Sequence, residues 1–269
     1  MTAQRGVVIG CDQQQEWLLK WWWNHYVEQN TFPVTLFDFG ISCAARLWCQ
    51  KRLNVVSFPP PRSLFLSKGQ LTCISKLAEE EAWPSSSSNR PSGSFSAPSR
   101  HILWPNRVAH YVWAVRPIWF AKAFCLARSP YQETLWLDLD CEVKQSLSLL
   151  FASSSLGDGF ALTRDAPHYV AAFQKCGALR AGVQGYQAGV IAFHRSSPVL
   201  HSWIDACYTL CNQEFSEQST LSHLLHRSRF AFTSLAEDNN WLFPEIANPK
   251  AVIIHHTGAS SKRRLMEKL

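Results

Sequence analysis

No stretch of this sequence reaches the ~18 consecutive uncharged apolar residues that a membrane-crossing helix needs, so no such span is expected. No cysteine falls in a Cys-x-x-Cys pair matched by a second pair at zinc spacing, which argues against a structural zinc module. The nine cysteines are odd in number and lie mostly in apolar or helical contexts. They read as reduced, small core residues of a cytoplasmic protein. Strong net charge is also missing. At +6, with basic residues scattered except for Lys262, Arg263 and Arg264, the balance permits an anionic ligand but does not point to nucleic acid. The short run Val8, Ile9, Gly10, Cys11 has the look of a lipoprotein cleavage box, but too few apolar residues precede it for a signal peptide, and it reads as a buried strand. No internal repeat is visible. What the chain has in quantity is apolar bulk. Hydrophobic residues make up 46% against 17% charged, enough for a sizeable core, and twelve tryptophans suggest bulky packing or stacking surfaces.

The order of patterns is informative. Residues 6–10 predict a first strand, residues 16–28 a helix with Trp17, Leu18, Trp21, Trp22 and Tyr26 on overlapping faces, and residues 33–40 a second strand. Ser42 is a suitable N-cap for a helix reaching about residue 52, and residues 54–58 predict a third strand. Strand and helix in alternation imply a parallel sheet wrapped by helices. Residues 84–100, PSSSSNRPSGSFSAPSR, interrupt the pattern and read as a flexible insertion in a single domain over residues 1–269. Residues 117–128 predict a mostly buried helix and 134–138 a central strand. Strands follow at 160–163, 189–193 and 251–254, with helices at 198–211 and 217–226. Trp21, Trp22 and Trp23 cannot all face one way on a helix, so at least one is expected to be exposed.

The segment ETLWLDLDCEV, Glu133 to Val143, carries the chemistry. In an open parallel sheet, ligands bind beyond the carboxyl ends of the strands. Along an extended chain Asp138 and Asp140 project to the same side. Carboxylates crowded there repel unless a cation lies near them, and a divalent ion would also neutralise a diphosphate. Solvated acids at a strand end are the ordinary alternative.

YQETLWLDLDCEV resembles the metal-binding segment of nucleotide-sugar glycosyltransferases of the GT-A fold. Four further segments are similar to that family in the same order. Ile9, Gly10, Cys11 and Asp12 resemble the first strand and the acidic end that faces the nucleoside. PIWFAK, Pro117 to Lys122, is similar to the helix that supplies a basic residue. GYQAGVIAFHRS, Gly185 to Ser196, resembles the Asn-x-Gly-Val strand, with Gln187 where Asn is usual. IIHHTGASSK, Ile253 to Lys262, resembles the His-x-x-Gly-x-x-Lys element of glycogenin-like and bacterial retaining galactosyltransferases, with one extra residue before the lysine.

The resemblance implies a single Rossmann-like α/β domain with a mostly parallel central sheet flanked by helices. It implies Mn2+ or Mg2+ held by Asp138, Asp140 and His255, the last chosen over His256 because it keeps the spacing to Gly258. Asp12, Lys122, Gly258 and Lys262 would bind a nucleotide sugar, with a UDP-linked donor expected. Gln187, Glu217 and Gln218 would meet the transferred sugar. Retention of anomeric configuration is slightly favoured, and the acceptor (glycan, lipid, protein or small molecule) is open. Each residue also has a plain reading. Asp12 can cap the first helix, Lys122 can snorkel, His255 can be a core histidine, and Glu217 can serve the first helical turn after Ser216. Glu237, Asp238 and Asn239 read as an Asx turn before Trp241, or as an acceptor contact. Two other functions fit Asp-x-Asp less well: a haloacid-dehalogenase-type phosphatase, and a GT-A-like domain that binds a nucleotide or a partner without turnover.

Overall fold

Alternation sets the faces of the first strand, β1 (Arg5–Cys11). Val7, Ile9 and Cys11 pack into one apolar layer, and Val8 into the other. The computed structural model describes residues 4–65 and 105–268, and the 84–100 insertion lies outside them. The other strands are β2 (Val34–Asp38), β3 (Asn54–Ser57), β4 (Glu133–Leu137), β5 (Cys141–Val143), β6 (Phe160–Arg164), β7 (Tyr186–His194), β8 (Thr233–Leu235) and β9 (Ile253–His255). Seven of them form one sheet in the order β3-β2-β1-β4-β7-β6-β8, and β5 pairs with β9 in a second, small sheet. The large sheet is mostly parallel as expected, but β7 runs antiparallel to both β4 and β6.

Helices cover both faces. On one lie α1 (Leu19–Gln29), α2 (Cys43–Gln50), α4 (Ser148–Ser153) and α8 (Gly258–Lys268), contributing Trp22, Tyr26, Cys49, Phe151 and Leu265. On the other lie α3 (Pro105–Leu126), α6 (Pro198–Leu210) and α7 (Glu217–Arg227), contributing Phe120, Phe124, Trp203 and Leu221. A shorter α5 (Pro167–Lys175) follows β6. Ser42 caps α2 as expected, its side chain accepting from Ala45 N–H. Ser216 caps α7 in a reciprocal box with Ser219.

Several expectations need correction. The helix placed at 117–128 begins at Pro105, so Pro117 lies in its interior rather than at its start. The strand read at 189–193 extends over Tyr186–His194. β5, α4 and β8 have three, six and three residues, too few for a periodic signal, and α8, which holds the basic cluster Lys262, Arg263 and Arg264, was not expected as a helix. Nor is any residue of the tryptophan triplet exposed. Trp22 stacks on Tyr26 with ring centroids 4.9 Å apart, Trp21 packs on His25 and His256, and Trp23 is half-buried beside Tyr26.

Arg116, on α3, has no exposed surface, and its guanidinium lies 5.4 Å from the ring centroids of both Phe65 and Phe120, which pack edge to face. It donates to the carbonyls of Cys211, Glu214 (2.7 Å) and Phe215 (2.9 Å). The turn that leads from α6 into α7 is thereby held by a charge-assisted network.

Candidate functional site: an acid, lysine and histidine cluster at the sheet crevice

The strand order reverses at β1, with β2 and β3 on one side and β4 on the other. Ligand crevices of open α/β sheets form at such a point. Asp12 follows β1 there, and Asp138 follows β4. Because β4 ends at Leu137, Asp138 and Asp140 stand on a turn closed by Cys141 N–H to Asp138 O (3.1 Å). The alternation expected of an extended strand therefore does not apply, and the two carboxylates have different partners.

Asp138 Oδ1 accepts from Trp136 Nε1 at 2.7 Å and lies 3.0 Å from Lys122 Nζ. Lys122 also donates to Ala188 O at 3.0 Å and meets Glu217 Oε1 at 3.1 Å. The lysine is thus clamped between two acids and does not snorkel. Burial works against its charge, but Asp138 and Glu217 outweigh burial and raise its pKa. Burial pushes the Glu217 carboxyl up, opposed by Lys122.

Asp140 faces the other way. Its Oδ1 is 3.2 Å from His255 Nε2, and its Oδ2 is 3.0 Å from Lys262 Nζ. Burial would raise this carboxyl, yet the charges of Lys262 and His255 dominate and hold it well below the usual carboxylate range. Lys262 reaches Asp140 from the second turn of α8. The chain enters that helix through Gly258 at φ +77°, a conformation that glycine adopts without strain. His256 turns away, its Nε2 lying 3.0 Å from Glu142 Oε2. The structure therefore sets His255, not His256, beside an aspartate of the pair.

The orientation of His255 is fixed on two sides. Its Nδ1–H donates to Asn240 Oδ1 at 3.0 Å, while Asn240 Nδ2 donates to Thr163 Oγ1 at 3.0 Å. Nε2 is thereby directed at a carboxylate oxygen, an arrangement that needs a proton or a cation between them. Gly189 provides the seat: a Cβ there would lie 2.1 Å from His255 Cε1. A histidine with its second nitrogen anchored, an adjacent buried carboxylate and a glycine cradle fit a divalent ion. Among the described residues, the ligand-bearing groups that converge tightly are Asp140, Cys141 and His255, with Asp138 held by Lys122 and Trp136.

Beside this cluster lies a carboxylate that the sequence reading passed over. Asp165, directly after β6, accepts from Gln187 Nε2 at 2.7 Å, Ala166 N at 2.9 Å and Gln218 Nε2 at 3.2 Å. Gln218 Oε1 in turn accepts from Ala188 N–H. Asp165 thus brings together two glutamines named from sequence, and burial raises its carboxyl pKa. Its signal was available, since it is an acid at the end of a predicted strand, as Asp138 is. Asn240 lies one residue beyond the polar turn singled out before Trp241. In that turn Asp238 accepts from Asn248 Nδ2, a structural contact. Asp12 does not cap the first helix, whose N-cap is Gln15, but closes the turn before it, its Oδ1 accepting from Gln15 N–H at 3.1 Å; burial raises its pKa against that hydrogen bond.

No protein-family model matches the sequence, and no curated protein is significantly similar to it. Solved structures are similar in fold. The galactosyltransferase LgtC, in complex with donor and acceptor sugar analogs, superposes with a TM-score of 0.52 at 15% identity, over 94% of this chain and 87% of LgtC. Mouse xyloside xylosyltransferase 1 gives 0.52 at 12% identity over 94% and 97% of the two chains. The glycosyltransferase GlyE of Streptococcus pneumoniae gives 0.51 at 16% identity over 95% of this chain and 55% of its own. With its seven-stranded sheet and flanking helix layers, the chain has the GT-A fold of the nucleotide-sugar glycosyltransferases.

Proposed function

We propose that the protein is a metal-dependent glycosyltransferase that uses a nucleotide sugar, UDP-linked, as donor. The observation that carries this reading is the buried Asp140–His255 pair, 3.2 Å apart, with Lys262 on the other carboxylate oxygen and Asn240 fixing the imidazole. Asp140 and His255, with Asp138 as the second carboxylate, would hold Mn2+ or Mg2+. Such an ion supplies Lewis-acid stabilisation of charge on a leaving diphosphate.

The chain's own groups have separate tasks. Lys122 and Lys262 carry positive charge to the two sides of the aspartate pair, where a diphosphate would need it. Asp12, at the end of β1, would face the nucleoside. Gln187, Gln218 and Asp165 form a polar wall with hydroxyl-binding capacity for the sugar, and Gly258 lets the chain turn into α8 so that Lys262 arrives. Glu217, its charge compensated by Lys122, would meet the transferred sugar. The fit of the His255 element to retaining enzymes favours retention of configuration. No helix among the described residues is long and apolar enough to cross a membrane, and the acceptor is free to be a glycan, a lipid, a protein or a small molecule. The phosphatase reading is set aside because the fold matches glycosyltransferases.

The test is turnover. With Mn2+ and a panel of UDP-sugars, release of UDP is expected from one donor class, and it should disappear in Lys122→Met. Tight Mn2+-dependent binding of UDP without turnover of any donor would instead favour a non-catalytic binding domain.

A further inference from the structure

The antiparallel register of the small sheet sets Cys141 of β5 directly opposite His255 of β9. Residues opposite one another in such a pair project to the same face, with Cβ atoms about 4.5–5.5 Å apart. The Cys141 thiol points to Gly189 O at 3.8 Å, and Gly189 is the residue on which the His255 ring rests. Ligand atoms of Asp140, Cys141 and His255 all lie within 4.8 Å of one another, and the three residues are 5%, 0% and 3% exposed. The 3.2 Å between Asp140 Oδ1 and His255 Nε2 matches two ligands of one tetrahedral ion, which stand about 3.3 Å apart at bonds of about 2.0 Å.

We propose that Cys141 is a ligand of this centre, and that its sulfur makes the site take a thiophilic divalent ion of the zinc class more tightly than Mn2+ or Mg2+. A carboxylate–thiolate–imidazole set suits zinc and cobalt, whereas hard ions gain little from sulfur. Uptake exchanges the thiol proton for the ion: the S–H bond breaks, a metal–sulfur bond forms, and one proton leaves to the buffer. The site escapes a motif search because the sulfur comes from one strand and the imidazole from another, 114 positions later by residue number (255 − 141), with no Cys-x-x-Cys pair. The inference rests on the same Asp140–His255 pair as the proposed function and adds the sulfur.

The probe is Co2+ alone, titrated into the full-length, metal-free protein. One equivalent is expected to give visible d–d bands together with a near-ultraviolet sulfur-to-cobalt charge-transfer band, both displaced by Zn2+. Cys141→Ser should lose the charge-transfer band and keep the d–d bands. Its zinc affinity should fall about ten-fold or more, and its Mn2+ affinity by a smaller factor. Cys141→Ala, checked by circular dichroism, repeats the test without the hydroxyl. Asp140→Asn should lose both sets of bands. Wild-type d–d bands without charge transfer, or a charge-transfer band that survives in Cys141→Ser, would overturn the sulfur ligand and leave the Asp140–His255 reading standing. No cobalt spectrum at all in the wild type would overturn both.

Discussion

At Gly189 the absence of a side chain has a chemical consequence. The His255 ring occupies the volume that a Cβ would take, with Cε1 at 2.1 Å and Nδ1 at 2.8 Å from that position. Gly189→Ala must therefore push the imidazole off its seat. Overpacking of this kind costs about 1–3 kcal/mol, and Mn2+-dependent UDP affinity should drop about ten-fold or more as the ligand is misdirected. Calorimetry of the variant checks this, and unchanged affinity would show that His255 is not a ligand. Asp165 tests the electrostatics. Burial raises its folded-state pKa, so the folded protein holds this proton more tightly than the unfolded chain does. Its contribution to stability is greatest below the unfolded carboxyl value and is lost as pH rises through the folded one. Asp165→Asn removes that loss. The variant's Tm relative to wild type should therefore be more favourable at pH 7 than at pH 4, while transfer activity falls. A Tm difference that is flat with pH, or larger at pH 4, would contradict the assignment.

Among the elements, α3 serves the site at two places. Lys122, near its end, joins Asp138 to Glu217, and Arg116, nearly two turns earlier, holds the carbonyls that precede α7. One helix thus fixes both the lysine and the turn that presents Glu217 and Gln218. Arg116→Met leaves buried carbonyls without their charged donor and should cost about 3 kcal/mol, read as a lower denaturation midpoint at unchanged m. Arg116→Lys should fall between the two. A loss below about 1 kcal/mol would mean that the turn finds other donors. The same helix marks a limit of sequence reading. Pro117 looked like a start because proline is favoured in first turns, but here it sits mid-helix, between Arg116 and the apolar run that buries Phe120 and Phe124.

At the level of the whole molecule, the alternation of strands and helices up to β3 was legible, as were α6, α7 and β4, because each has a clear apolar period or a cap. The antiparallel entry of β7 was not, since an apolar strand buried on both faces carries no mark of direction. For the candidate site, Asp138, Asp140, Lys122 and His255 were readable from motif order. Their pairing was not. It depends on β4 ending at Leu137, on β9 crossing to β5, and on α8 bringing Lys262 back across the crevice, all contacts distant in sequence. Asn240 escaped because nothing local distinguishes a buried, hydrogen-bonded polar residue from a solvated one, and Asp165, though an acid at a strand end, falls in none of the motifs that drew attention to Asp138.

The proposed transfer reaction depends on a divalent ion coupling Asp140 and His255 to a nucleotide diphosphate. Thermal unfolding with UDP in the presence and absence of Mn2+ tests it most directly. With both ligands at roughly a hundred times the dissociation constant, wild type should gain about 2.7 kcal/mol, seen as a raised Tm, while UDP with chelator gives no shift and Asp140→Asn gives none under either condition. An equal rise with chelator present, or an undiminished rise in Asp140→Asn, would contradict it.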